Sequence, residues 1–154
     1  MNLKTIPVLL AFIILFSVTV SAQAKKKATS AVKAKQSLPV HKVIMQLSSG
    51  DTLEHKGLLN NLKNLKEGWG DSVAIEIVVH GPGIDLVTKG KSTQESNIQK
   101  MIDQGVQFVV CRNTMKQKNI AEDQILENIG FVAMGVGEIV IKQEKGWSYL
   151  KAGF

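Results

Sequence analysis

The chain carries one cysteine, Cys111, among its 154 residues. No internal disulfide can form, so the fold must hold by packing. That cysteine also lies too far downstream to be the lipid-bearing residue of a lipoprotein, which sits at the cleavage site. A spanning helix needs about 20 apolar residues; the apolar stretch Ile6 to Val20 has 15 and ends at small and polar residues. There is no G-x-S-x-G elbow, no Walker loop and no G-x-G-x-x-G after a strand. His55, His80 and Cys111 show no close metal-ligand spacing. The residues therefore imply neither a metal nor a cofactor.

Positive charge is present but confined. The formal net charge is +6, yet Lys4 and the five lysines between Lys25 and Lys35 account for all of it. The remaining basic residues balance the 13 acids, all of which lie after Ser37. No basic stripe with interleaved aromatics runs through the body, so nucleic acid is not an expected partner.

The ends of the chain organise the rest. Met1 to Lys4, the apolar stretch and Ser21-Ala22-Gln23-Ala24 follow the order of n-region, h-region and small-x-small cleavage site. Residues 1–24 are expected to be a signal peptide, which places the mature protein outside the cytoplasm, in the periplasm, with no membrane span after cleavage. Residues 25–37 hold five lysines and no acid or aromatic residue; they read as a basic leader that cannot bury enough surface to order itself. Residues 38–154 are one domain's worth of chain.

Within that domain, strand and helix patterns alternate. His41 to Leu47 is a β-branched, apolar run, and Asp51 with Glu54 resembles a capping box ahead of Leu58, Leu59, Leu62 and Leu65 at helical spacing. Ser72 to His80 is a second strand, ended by Gly81-Pro82-Gly83, with a short helical turn expected over Ile84 to Thr88. Ser92 and Glu95 suggest another capping box before Ile98, Met101 and Ile102. Val106 to Cys111 forms a third strand. Helical pieces are expected over Thr114 to Lys118 and Ala121 to Ile129, and a brief strand over Phe131 to Met134. Glu138 to Lys145 is read as helix, capped by Gly146, and Trp147 to Lys151 as a fifth strand. This alternation implies an α/β fold: a three-layer α/β/α sandwich on a mainly parallel five-stranded sheet.

Ligands bind beyond the carboxyl ends of parallel strands. That rule selects Ser48, Gly50 and Asp51 after the first strand, His80, Gly81 and Gly83 after the second, and Cys111 and Asn113 after the third. Cys111 and His80 are the candidates for chemistry, as thiol and neighbouring base or donor. Ser48, Gly50, Gly81, Gly83 and Asn113 are the candidates for holding a ligand, although glycine turns and a helix-capping asparagine would look the same.

The fragments "MQLSSGD", "NNLKNL", "IVVHGPGIDLV", "GVQFVVCRNT" and "IKQEKGWSYLK" resemble, in order and spacing, the DsrE/DsrF-like family, particularly its YchN-like branch. The resemblance implies the same α/β/α sandwich and assembly into homo-oligomers, trimers or hexamers. It also implies sulfur handling, because some members carry sulfur as a cysteine persulfide and pass it to a thiol or sulfurtransferase partner. Cys111 in "VVCRNT" matches the branch's cysteine. Export departs from the cytoplasmic sulfur relays.

Three readings of Cys111 stay open. A free thiol has a pKa near 8.5 and is only about 3% thiolate at neutral pH, so a nucleophile there needs help from its surroundings. A helix starting near Asn113 would supply about 0.3–1 kcal/mol through its dipole. Burial acts against it, and a buried cysteine closing the strand is the plain alternative. In that case the protein is a non-catalytic binding or assembly module. Metal ligation is the third reading.

Overall fold

The structure, a computed structural model, describes residues 41–153. The expected signal peptide and leader lie outside the described residues. Five strands form one sheet: β1 (His41–Leu47), β2 (Val73–Val79), β3 (Gln107–Cys111), β4 (Gly130–Val132) and β5 (Ser148–Lys151), in the order β4-β3-β2-β1-β5. Every strand pairing is parallel. Four helices connect them: α1 (Thr52–Trp69), α2 (Glu95–Asp103), α3 (Arg112–Lys118) and α4 (Gly135–Glu144). The expected α/β sandwich is the observed fold.

Successive side chains on a strand point to opposite faces, and here that alternation sorts the core. Val43, Met45 and Leu47, then Ile75, Ile77 and Val79, then Phe108 and Val110, face α1 and α2, where Leu58, Leu59, Leu62, Ile98 and Met101 meet them. The alternate residues face the other way. There a much smaller cluster of Ile44, Val78 and Ile139 forms beneath α4, with Val109 and Trp147 packed beside it. Glu76 lies on this face too, buried and paired with Lys142 of α4. Among the described residues no helix is long and apolar enough to cross a membrane.

Several local expectations shift. Asp51 does cap α1, but by accepting from Leu53 N at 2.7 Å, while Ser49 Oγ accepts from Asp51 N, so the reciprocal box with Glu54 does not form. Ser92 Oγ accepts from Gln94 N, which makes Gln94 the residue ahead of α2. The stretch from Ala121 to Ile129 is not a helix beyond a 3-10 turn at Glu122–Gln124. Ile125 instead bridges Thr88, and Leu126 N donates to Val87 O, which draws Ile125 and Ile129 into the large core. The turn after β2 is a 3-10 segment from Gly81 to Val87, begun before Ile84.

Two helix starts matter most for the site. The third begins at Arg112 rather than Thr114, which puts Asn113 inside it and Cys111 at the N-cap. The fourth begins at Gly135, three residues before Glu138, because packing overrides the poor helix propensity of Gly135 and Gly137.

Candidate functional site

Strand register brings the site together. Val79 pairs with Leu47 and with Val110, so one step further on, Ser48, His80 and Cys111 end three adjacent strands at one edge. His80 N donates to Leu47 O at 3.0 Å, holding the first two strand ends in step. Gly81 takes a left-handed conformation, φ 54°, and its N donates to Thr114 Oγ1 at 3.0 Å, joining the β2 turn to α3. His55, buried in α1, donates from Nε2 to Ser49 O at 2.8 Å and fixes the β1 loop from beneath.

The expected ligand-holding residues divide into two groups. Gly81 and Ser48 lie at the edge, partly exposed. Gly83 is buried: a side chain there would meet Leu47 O at 2.6 Å, so its absence of a Cβ serves the packing of two backbones. Gly50 packs against Pro82 in the same way, less tightly. Asn113 contributes its backbone N–H near the thiol, while its side chain belongs to an exposed residue.

Cys111 is 5% exposed. Burial would push its thiol up. The backbone N–H groups of Thr114 and Gly135, the Thr114 hydroxyl and the Asn113 N–H more than offset that, and the pKa falls below the ordinary value. These groups come from the first turns of α3 and α4 and act on the sulfur as hydrogen-bond donors. Gly135 is the meeting point. A Cβ built there would lie 3.1 Å from Val78, 3.3 Å from His80 Cβ and 3.4 Å from Cys111 Cβ. Arg112 does not join the site: it pairs with Glu122 and lies over the Phe131 ring at 4.7 Å.

His80 is half-buried, and burial lowers its pKa, favouring the neutral ring. Gln46 Nε2 donates to His80 Nε2 at 2.7 Å, which leaves the proton of the neutral ring on Nδ1. Gln46 Oε1 in turn accepts from Tyr149 OH. Neither Gln46 nor Tyr149 was among the sequence candidates. A signal was there for Gln46: it is a polar residue inside an apolar strand, two positions before the edge and on the face of Ile44.

A profile described as the DsrE/DsrF-like family matches residues 13–152. Among solved structures, a protein of unknown function from Methanobacterium thermoautotrophicum is 30% identical, with a TM-score of 0.69, covering 72% of this chain and 98% of that one. A conserved protein of unknown function from Bacteroides thetaiotaomicron is 19% identical, with a TM-score of 0.57 over 71% of this chain and 93% of its own, a likeness of fold. No curated protein matches the chain.

Proposed function

This chain belongs to the DsrE/DsrF-like family, and from that premise we propose that it is an exported member, of the YchN-like branch, that carries sulfane sulfur on Cys111. The donors gathered around that sulfur support the reading most directly: three backbone N–H groups and a hydroxyl lower the thiol's pKa in spite of its burial. They stabilise negative charge on sulfur, and no cation among the described residues contributes to the shift. The Cys111 thiolate attacks the outer sulfur of a persulfide or polysulfide donor. A Cys111 S–S bond forms, the donor's S–S bond breaks, and the electron pair leaves with the donor thiolate. A second thiolate then takes the outer sulfur and returns Cys111 as thiolate, so no external oxidant or reductant is consumed. In this reading His80, held neutral at the same strand edge, is the residue that would donate from Nδ1 to the incoming sulfur species.

Two measurements on Cys111 test this. Its alkylation rate should rise with pH at a midpoint below that of a free cysteine, and treatment with inorganic polysulfide should add one sulfur atom to its mass. A thiol that titrates as free cysteine and gains no sulfur ends the proposal.

A second reading has its own observation. Cys111 is nearly buried, and the outer side of α4 exposes Met134, Val136, Val140 and Ile141. An apolar face of that kind suits a subunit interface, as expected of an assembly module with a structural cysteine. Homo-oligomerisation belongs to both readings; export rests on the residue order from Met1 to Ala24. Mass spectrometry of the mature protein should find its N-terminus near Lys25, and sedimentation should find a species heavier than one chain. An intact Met1, or a monomer alone, removes the corresponding part.

A further inference from the structure

Sulfur transfer needs a thiol that a donor can reach, and Cys111 at 5% exposure is nearly sealed. Its cover at one side is the first turn of α4, whose Gly135 backbone sits against Cys111, His80 and Val78. α4 is weakly tied down. Only Gly135 and Ile139 are buried within it, and its turn over the thiol contains two glycines, Gly135 and Gly137, which favour helix poorly. Met134 folds back over that turn, so a side chain at Gly137 would meet its Cγ at 2.7 Å. The other tie is polar. Lys142 pairs with Glu76 in the centre of the sheet, lies 3.6 Å from Glu138, and stands 4.5 Å from the centre of the Trp147 ring.

We propose that α4 is an opening cover over Cys111, and that the Glu76–Lys142 ion pair with the Trp147 contact is its latch. The inference rests on the sulfur-carrier reading for its purpose, though not for its mechanics. α4 is flanked by Met134 and Gly146, both exposed. Gly146, at φ 78°, ends the helix in a left-handed conformation that favours glycine. The latch is incomplete, since Glu76 Oε1 is buried and has no hydrogen-bond partner among the described residues. A buried ion pair of this kind fixes geometry more than it stabilises, and removing one partner is strongly destabilising while replacing both by apolar groups is often neutral. Opening α4 separates the pair and returns both charges to water. It does not require the larger core on the opposite face to break.

The experiment measures native-state labelling of Cys111 in the full chain by methyl methanethiosulfonate, followed by mass, with each rate corrected for thiolate fraction. Lys142→Met should accelerate labelling by about tenfold or more, because a lone buried carboxylate remains beneath α4. Glu76→Met combined with Lys142→Met should return the rate to within about threefold of the parent. Leu62→Ala, which weakens the opposite core, should leave it nearly unchanged. Equal rates in all four proteins mean that Cys111 is reached without α4 moving, and the cover fails. Acceleration by Leu62→Ala equal to that of Lys142→Met means whole-domain opening, which also overturns it. Should Lys142→Met not fold, hydrogen exchange in the parent decides: α4 amides as protected as those of β1–β3 sink the cover. Polysulfide mass gain is scored separately, so loss of the sulfur reading and loss of the cover give different results.

Discussion

The two faces of this sheet are built on different terms. One buries twenty-two apolar residues in a continuous core under α1 and α2. The other buries three beneath α4, with a carboxylate among them. Glu76, His80 and Cys111, each with a displaced pKa, all lie on that second face. Stability and chemistry are therefore separated between the two faces. Strand alternation sends most of the apolar positions of β1, β2 and β3 to the face that holds the domain together. It leaves Gln46, Glu76, His80 and Cys111 on the face with little apolar area to lose.

The largest effect that can break this comparison is in the core itself. Phe108 is 1% exposed and sits in the large cluster, whereas Ile139 is 7% exposed and is the one α4 side chain in the small cluster. Phe108→Ala should cost about 3–5 kcal/mol, and Ile139→Ala about 2 kcal/mol, the low end for such truncations, because α4 can settle into the space. Urea unfolding of both variants measures it. Equal losses would mean that the faces carry equal weight and that α4 is an ordinary core helix.

Most of the fold was legible from the chain because its signals are local. β1, β2 and β3 are β-branched runs closed by serine, glycine or a helix start, and α1 shows leucines at helical spacing before Gly70. The same locality explains what was missed. α4 begins at Gly135, where a Cβ would crowd Val78 at 3.1 Å and His80 at 3.3 Å, a tertiary closeness that helix propensity does not register. Residues 121–129 look helical in composition, but pairing of Ile125 and Leu126 with the β2 turn pulls them into an irregular path. At the site, Cys111 and His80 follow from strand ends alone. Of the partners that tune them, Thr114 is local to Cys111, three residues on, while Gly135 and Gln46 are distant in sequence. The acid in the middle of "SVAIEIVVH" was a visible signal for the latch, since a charge in a buried parallel strand must find a partner.

The smallest expected effect sharpens the comparison through pH. His80 is held neutral by burial, so its folded-state pKa lies below its ordinary 6.5. The unfolded chain binds the proton first, and stability must fall as pH drops from about 6.5 through the folded-state value. Glu76 has the opposite sign. Burial raises its pKa above 4.5, so the folded state holds a proton longer, and stability falls as pH rises through that window. Between the two ordinary values the contributions oppose each other, both acting through the α4 face. His80→Gln should therefore flatten the acid-side loss near pH 6, and Glu76→Gln should steepen it by removing the opposing term. Thermal melts of both variants between about pH 4.5 and 7 read the slopes. If both leave the profile of the parent unchanged, neither His80 nor Glu76 sets the acid response, and it arises elsewhere in the fold.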